Sequence, residues 1–186
     1  MFCYKNIAAF PINITKPDIR FAKILMTQIG GYAGELGAAI RYFIQAPTMP
    51  DEMGKKLLID IATEELGHIE MLMIMIKCLT KGMTANDFKN AGMEGLYAEH
   101  KLGIYPTDVS TVPFNVATLA STGDPIADLQ EDMAAEEKAR VVYEHLMDLT
   151  DNEEILAPLS FLRQREVVHF NRFKELLDYY KNKKRI

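Results

Sequence analysis

Apolar residues recur every three or four positions along four long segments of this 186-residue chain. That spacing is typical of helices that bury one face. Aspartate followed closely by proline or glutamate marks the start of several segments, and proline or glycine marks their ends. The predicted long helices run from Pro17-Asp18 to about Gln45, from Pro50-Asp51-Glu52 to Lys81 before Gly82, from Asp124-Pro125 to about Thr150, and from about Asp151-Asn152 to the basic tail.

A short helix is predicted to begin at Thr84 and to end before Gly92, and the periodicity then disappears until Gly123. Glycines and prolines interrupt this stretch, so we expect a connection rather than a helix. A bundle whose second and third long helices run parallel needs such a crossover. The pattern therefore predicts an all-α, ferritin-like four-helix bundle with one long crossover connection, forming a single domain over residues 1–186.

Each long helix carries at least one ionisable residue within its apolar stripe. Gly30, Gly31 and Gly34 are expected to lie inside the first helix and to allow backbones to approach closely there. The predicted stripes are Gln28, Glu35, Ala39 and Tyr42 in the first helix; Leu58, Ile61, Glu65, His68, Leu72, Met75 and Leu79 in the second; Ile126, Leu129, Met133, Glu136, Arg140, Tyr143 and Met147 in the third; and Leu159, Leu162, Glu166, His169, Phe173, Leu176 and Tyr180 in the fourth.

Carboxylates that face one apolar core repel one another and are costly to bury without partners. Two divalent cations would remove that problem. A Glu and a His three residues apart point to the same side of a helix, so Glu65 with His68 and Glu166 with His169 can each supply a carboxylate and an imidazole. Single glutamates from the other two helices, Glu35 and Glu136, complete the ligand set of a bundle two-metal site.

The spacing of these residues supports that interpretation. Glu35 and Glu65 lie 30 residues apart, as do Glu136 and Glu166. A constant offset of 101 residues relates the two halves, and it also relates His68 to His169. The two helix pairs are therefore expected to surround a pseudo-twofold axis, which by itself would make Glu166 a second bridging ligand.

Five motifs surround the candidate ligands: Gly30-Gly31-Tyr32-Ala33-Gly34-Glu35-Leu36 followed by Tyr42, Glu64-Glu65-Leu66-Gly67-His68, Gly123-Asp124-Pro125, Ala134-Ala135-Glu136-Glu137-Lys138-Ala139-Arg140, and Arg165-Glu166-Val167-Val168-His169. Together they resemble the motifs of the manganese catalase family, over roughly residues 10 to 175. The resemblance is closest to the short spore-coat members of the CotJC type, which have about this length.

The resemblance implies disproportionation of hydrogen peroxide at two manganese ions. It makes Glu65 the bridge, places Glu35 and His68 on one ion, and places Glu136 and His169 on the other. It gives Glu166 a proton-transfer role beside the metals rather than a ligand role, in disagreement with the pseudo-symmetry. Two further residues, Tyr42 and Arg140, are implied to support the ligands.

Two other functions remain open at this point. In one, the metal site only holds together a structural spore-coat protein. In the other, the protein is a di-iron carboxylate oxidase, since carboxylate and imidazole ligands suit iron as well as manganese.

The expected partners follow from the resemblance and from apolar segments. A homo-oligomer is predicted, a hexamer by resemblance, because the run Met71, Met73 and Met75, the start Phe2-Cys3-Tyr4 and the long connection are expected to leave apolar surface. Other spore-coat proteins are further expected partners.

The other acidic residues and histidines near the motifs are expected at the surface: Glu64, Glu70, Glu137, Glu144, His100 and His145.

Composition excludes several classes of protein. The net charge of −5 does not favour nucleic-acid binding. The most apolar stretch, residues 69–79, is too short to cross a membrane. No signal-peptide pattern occurs at the N-terminus, and Cys3 and Cys78 do not suggest a disulfide framework. A cytoplasmic or spore-coat location is expected, without secretion by a signal peptide.

Overall fold

Helices form almost all of the regular structure in the computed structural model, which describes residues 8–119 and 121–183. Within those residues the β-structure is limited to an isolated bridge between Thr107 and Pro113. The α-helices are α1 (Ile19–Leu25), α2 (Thr27–Gly30), α3 (Glu35–Gln45), α4 (Glu52–Leu79), α5 (Ala85–Asn90), α6 (Glu94–His100), α7 (Pro125–Met147) and α8 (Glu153–Lys183), and short 3₁₀ turns occupy Ala46–Thr48 and Val116–Thr118.

The four helices α3, α4, α7 and α8 form the bundle, with α3 packed on α4 and α7 packed on α8. Asp51 at the start of α4 contacts Tyr180 near the end of α8. Glu64 in the middle of α4 contacts Arg165 in the middle of α8. These two helices are therefore antiparallel. Since short links reverse the chain between α3 and α4 and between α7 and α8, α4 and α7 run parallel, and the connection between them is a crossover. The predicted ferritin-like bundle is confirmed.

Helix caps explain why the predicted starts were accurate. Asp18, Asp51 and Asp124 are the N-cap residues of α1, α4 and α7, and each side chain accepts hydrogen bonds from backbone N–H groups of the first turn. Thr84 caps α5 through a reciprocal capping box with Asp87. Such caps satisfy donors that a helix start would otherwise leave unpaired.

The first predicted helix is not continuous, which corrects the expectation that Gly30, Gly31 and Gly34 lie inside it. The chain leaves the helix after Gly30 and α3 begins only at Glu35. A Cβ atom at Gly30 would lie 2.5 Å from the backbone nitrogen of Thr107, and one at Gly31 would lie 2.4 Å from the carbonyl oxygen of Thr27. The expected close approach of backbones is confirmed at Gly30, but its partner is the crossover connection.

The crossover also contains a helix that the sequence pattern did not predict. Helix α6 covers Glu94–His100, has no side-chain cap and buries none of its residues fully. Its apolar pattern is only partial: Leu96 and Tyr97 pack against the core but stay partly exposed. A seven-residue helix of this kind leaves little periodic signal.

Two hydrophobic clusters fill the bundle on either side of the ionisable stripe residues. One contains Leu72 of α4 and Leu162 of α8, and the other contains Leu58 of α4 and Phe173 of α8. The stripes predicted for the first, second and fourth long helices are buried throughout. The polar residues between them therefore lie at mid-height of the bundle, walled above and below by apolar side chains.

The predicted stripe of α7 needs correction. Asp132 and Ala139 are buried where Met133 and Arg140 were expected. Spacings of three and four residues both approximate the 3.6-residue turn. The sequence pattern alone therefore does not decide which of two adjacent residues is the buried one. The correction brings a buried carboxylate, Asp132, one turn before Glu136.

The methionine run does not supply the apolar surface that was expected of it. Met71 and Met75 are fully buried in the core, and Met73 packs against it. The segment Phe2-Cys3-Tyr4 lies outside the described residues. Exposed apolar side chains in the crossover, such as Val112 and Val116, do match the expectation. Among the described helices, none has the length and hydropathy needed to span a membrane.

Candidate metal centre

Six ionisable side chains from all four bundle helices converge at one level of the core. The four carboxylates are almost completely buried: Glu35 and Glu166 are 2% exposed, Glu136 is 1% exposed, and Glu65 is 0% exposed. Their donor atoms form two overlapping groups, each with all atoms within 4.8 Å of one another: Glu35, Glu65, His68 and Glu166 in one, and Glu65, Glu136, Glu166 and His169 in the other. The structure thus brings together every residue of the predicted ligand set.

Glu65 lies at the centre of this arrangement. One of its carboxylate oxygens is 2.7 Å from Nδ1 of His68, and the other is 2.8 Å from Nδ1 of His169. The two imidazole rings lie nearly parallel, with their centroids 5.6 Å apart. A carboxylate with one oxygen toward each imidazole has the geometry of a residue that can bridge two ions.

Each remaining carboxylate of the predicted ligand set faces one imidazole. Glu35 lies 3.5 Å from Nδ1 of His68, and Glu136 lies 3.6 Å from Nδ1 of His169. Glu35 is the first residue of α3, so its buried carboxylate stands at the start of the helix that follows the break after Gly30. The halves of the site are therefore built alike, although Glu35 lies at the start of a helix and Glu136 lies in the middle of one.

Glu166 also belongs to both groups, but its surroundings differ from those of Glu65. Its Oε1 atom lies 3.8 Å from Nδ1 of His68, which is farther than the corresponding Glu65 oxygen. Burial and the neighbouring carboxylates, foremost Glu35, raise the pKa of Glu166 well above its usual range. Burial alone would raise the pKa of Glu65 as well, but the two imidazoles outweigh it and lower that pKa.

The charge balance of the metal-free cluster indicates what it is suited to hold. Burial raises the pKa of Glu35 to about 8, with Glu65 adding to the effect. Burial alone would lower the pKa of His169, but nearby carboxylates, foremost Glu65, raise it to about 11. Without metal ions the cluster therefore retains protons on groups that must lose them when they bind a metal.

Many buried oxygen and nitrogen atoms of the cluster make no hydrogen bond of normal geometry, although several lie close to one another, and this is rare in protein cores. They include both oxygens of Glu65, both nitrogens of His68 and His169, and single oxygens of Glu136 and Glu166. Carboxylate oxygens and imidazole nitrogens are suitable ligands for manganese and iron. The residues present therefore fit a pair of transition-metal ions.

Two buried tyrosines hold the outer carboxylates in a crossed arrangement. The hydroxyl of Tyr42 on α3 donates to Glu136 on α7, and the hydroxyl of Tyr143 on α7 donates to Glu35 on α3. Burial and the adjacent carboxylates raise both tyrosine pKa values, so both hydroxyls remain donors. Sequence reasoning assigned a supporting role to Tyr42 only, yet Tyr143 lies 101 residues after it, and the constant offset would have identified it.

Arg140 does not take the predicted position beside the ligands. Its guanidinium group binds Glu137 and Glu144 on the outer side of α7, and Glu144 also binds Arg163 of α8. The one-residue shift in the stripe explains this outcome, because Ala139 occupies the inward position. As expected, Glu137 and Glu144 lie toward the surface.

Glu64 was expected on a solvated face, but it contacts both imidazoles. Its carboxylate lies 3.1 Å from Nε2 of His169 and 3.7 Å from Nε2 of His68. It also accepts two hydrogen bonds from Arg165, at 2.5 and 3.2 Å. This pair also obeys the 101-residue offset.

A small cavity borders the cluster on the side of α3 and α7. Its volume is about 10 Å³, enough for about one water-sized molecule. Its wall combines cluster carboxylates with small and polar side chains: Tyr32, Ala33, Gly34, Glu35, Ala38, Arg41, Tyr42, Ala135, Glu136, Ala139 and Glu166. Neither imidazole lines it, so a small molecule entering here meets the carboxylate side of the cluster.

Known proteins match this sequence and fold over almost the whole of this chain. A sequence model described as "Manganese containing catalase" matches residues 1–186. The chain is 40% identical to Protein CotJC of Bacillus subtilis (strain 168), across 99% of this chain and 97% of that protein. It is 32% identical to a probable manganese catalase of Clostridium acetobutylicum, across 92% of this chain and 76% of that protein.

A solved structure agrees with these matches. The fold superposes on KatB, a manganese catalase from Anabaena, with a TM-score of 0.88 and 34% identity, covering 97% of this chain and 81% of that one. The chain belongs to the manganese catalase family. Membership accounts for the bundle, which the solved relative shares.

Proposed function

We propose that this member of the manganese catalase family disproportionates hydrogen peroxide to water and oxygen at two manganese ions. The observation that carries the proposal is the pair of overlapping donor groups at the centre of the bundle, which have Glu65 and Glu166 in common. Two divalent ions held there would offset carboxylates that are otherwise costly to bury. Family membership supports the same chemistry.

The proposed ligands are those predicted from the sequence. Glu65 would bridge the two ions, since its oxygens face the two imidazoles at 2.7 and 2.8 Å. The first ion would also take Glu35 and His68, and the second would also take Glu136 and His169. Each outer carboxylate is fixed by a tyrosine from the opposite half of the bundle.

When bound, the two manganese ions would supply a two-electron cycle between Mn(II) and Mn(III). Glu166 would then hold and release the protons that peroxide disproportionation moves, through its carboxyl oxygens. Its raised pKa and its place in the wall of the small cavity support this role. Tyr42 and Tyr143 would keep the outer carboxylates oriented while Glu166 changes its protonation state.

The size of the cavity favours peroxide over larger substrates. A volume of about 10 Å³ accommodates about one water-sized molecule. Hydrogen peroxide, with two heavy atoms, is only slightly larger than such a molecule, whereas an organic substrate of a di-iron oxidase would need a much larger opening. Metal analysis of protein purified from its native host tests the identity of the ions, and iron in place of manganese would favour the oxidase alternative.

A structural role in the spore coat is the second candidate function. Similarity to Protein CotJC across 97% of its length favours it, and also supports a spore-coat location with other coat proteins as partners. The deciding experiment measures oxygen release from peroxide by protein loaded with manganese. Two bound ions with no oxygen release would refute the catalase proposal and leave the structural one.

The protein is further proposed to form a symmetric homo-oligomer, a hexamer by family resemblance. Apolar side chains exposed on the crossover support this, with Val116 at 62% and Val112 at 55% exposure. Tyr32, beside the small cavity, is 76% exposed. Light scattering at micromolar concentration tests the proposal, and a monomeric mass would contradict it.

A further inference from the structure

The two nitrogens of each imidazole in the cluster face different carboxylates. In both rings Nδ1 faces Glu65 and the other proposed ligands, on the inner side of the cluster. In both rings Nε2 faces Glu64, at 3.7 Å for His68 and 3.1 Å for His169. One carboxylate therefore serves the outer side of both imidazoles, with Oε1 toward the first ring and Oε2 toward the second.

Glu64 is itself held in place from the opposite half of the bundle. Arg165 donates to both of its oxygens, through Nε at 2.5 Å and through Nη2 at 3.2 Å. Both side chains are only 28% exposed. A two-point contact of this kind fixes the plane of the carboxylate as well as its position.

The orientation of a metal-binding imidazole depends on the partner of its other nitrogen. A proton on the outer nitrogen leaves the inner nitrogen free to bind the ion, and an outer carboxylate selects that tautomer. Here a single outer carboxylate is available to both rings. That carboxylate belongs to Glu64, which directly precedes the proposed bridge Glu65 in α4.

We propose that Glu64 is a positioning residue that orients His68 and His169 together, and that Arg165 keeps Glu64 in the required plane. The inference rests on the proposed two-metal site. Glu64 is not proposed as a further ligand, because its oxygens face the outer nitrogens and the guanidinium group. Its removal should therefore weaken both ions at once, whereas loss of either imidazole would weaken one more than the other.

The chain offers a matched control one helical turn earlier. Asp60 of α4 pairs with Arg172 of α8 at 2.6 Å, across the same helix contact as Glu64 and Arg165, and Asp60 is 66% exposed. No contact joins it to either imidazole among the described residues. Asp60→Ala therefore removes an α4–α8 ion pair without touching the cluster.

The test compares Glu64→Ala with Asp60→Ala and the unchanged protein, using manganese alone as the probe. Each metal-free protein is titrated with Mn(II) against a competing chelator, and manganese per chain is measured by mass spectrometry. Glu64→Ala is expected to lower the affinity for both ions by about 10- to 100-fold, the effect usual for such outer partners. Asp60→Ala should leave both affinities unchanged.

Two additional measurements separate positioning from simple stabilisation. Glu64→Gln keeps the size of the side chain but only one acceptor oxygen. Its affinity for manganese should therefore lie between the affinities of Glu64→Ala and of the unchanged protein. Unfolding of the metal-free proteins reports the structural effect of each ion pair. A Glu64→Ala variant that unfolds earlier but binds both ions as tightly as the control would overturn the proposal, as would selective loss of one ion.

The outcomes also distinguish this inference from the proposed function. Unchanged protein that binds no manganese would refute the metal site, and the role of Glu64 with it. Unchanged protein that binds two ions, alongside a Glu64→Ala variant of equal affinity, would refute only the role of Glu64.

Discussion

The two halves of the bundle contribute matching sets of residues to the metal centre and use them differently. Glu65 and Glu166 occupy equivalent positions, 101 residues apart, and both are buried. Yet the pKa of Glu65 is lowered and that of Glu166 is raised. The difference arises because Glu65 lies between the two imidazoles, whereas Glu166 lies mainly among other carboxylates. A repeated sequence pattern therefore fixes where a carboxylate lies but not which charge it carries.

The residues that precede these two carboxylates show a second difference. Glu64 and Arg165 are equivalent by position but opposite in charge, and they pair with each other. Two glutamates at these positions would repel across the pseudo-twofold axis, and two arginines would as well. The departure from symmetry thus stabilises the contact between the halves and leaves one carboxylate to face both imidazoles.

The largest predicted effect comes from removing the carboxylate that lies between the imidazoles. Glu65→Ala should lose both ions, because it removes the proposed bridge and leaves the two positive charges opposed. The measurement is manganese per chain after dialysis against a chelator. Glu35→Ala is the comparison, and it should retain one ion better than the other. Two tightly bound ions in Glu65→Ala would count against the ligand assignment.

Substitution of the equivalent carboxylate in the other half should give a different result. Glu166→Gln keeps the size of the side chain and removes its acid–base group. Oxygen release from peroxide should fall by ~10² to 10⁴, the range typical of a lost proton-transfer group, while two ions remain bound.

Manganese content and oxygen release are to be measured on the same sample of that variant. Loss of manganese along with activity would instead make Glu166 a bridging ligand, as the pseudo-symmetry suggests. Full occupancy with undiminished oxygen release would exclude both roles.

The pH dependence of stability provides a third comparison, between the metal-free and the metal-loaded protein. The folded state raises the pKa of His169 from 6.5 to about 11 and that of Glu35 from 4.5 to about 8. Each group binds its proton more tightly in the folded state than in the unfolded chain. Its stabilising effect is complete below the unfolded pKa and is lost as the pH rises toward the folded value.

The metal-free protein should therefore lose stability as the pH rises: the contribution of Glu35 is lost between pH 4.5 and about pH 8, and that of His169 between pH 6.5 and about pH 11. Its Tm should fall by several degrees, since about 1 kcal/mol corresponds to about 2–4 °C for a domain of this size. The loaded protein should not show this decline, because metal ligands bind in their deprotonated forms. Calorimetry across this range checks both, and a Tm of the metal-free protein that rises with pH would contradict the assigned protonation states.

Much of the site was predictable because it obeys two simple periodicities. The helical repeat placed Glu35, Glu65, Glu166 and His169 on buried stripes, and the offset of 101 residues paired the halves. Aspartate caps likewise identified the starts of α1, α4 and α7, because capping depends on a few neighbouring residues.

The features that were missed depend on contacts distant in sequence or on a choice of one residue. Glycine is needed at position 30 because the backbone of Thr107, far away in the sequence, approaches it. Glu64 looked like a surface residue because its partner, Arg165, lies on another helix. Arg140 was misplaced because the helical repeat does not distinguish it from Ala139 when only the spacing is known.

The smallest predicted effect concerns the crossed tyrosines, in which each half of the bundle supports the carboxylate of the other. Tyr143→Phe removes the hydrogen bond to Glu35, and Tyr42→Phe removes the one to Glu136. A hydrogen bond to a charged group contributes about 1.5–3 kcal/mol, which corresponds to an affinity change of roughly 10- to 100-fold. Tyr143→Phe should therefore weaken mainly the ion beside His68, and Tyr42→Phe mainly the ion beside His169.

The double variant tests whether these two effects are independent. If each tyrosine acts on its own ion, the losses measured by chelator competition should add, because the two hydroxyls share no partner. Exposed Tyr179→Phe is the control, since its ring lies outside the cluster at the end of α8. If either single substitution lowered the affinity for both ions equally, the two halves would not act separately on their ions. The difference between the halves would then be limited to the protonation of Glu65 and Glu166.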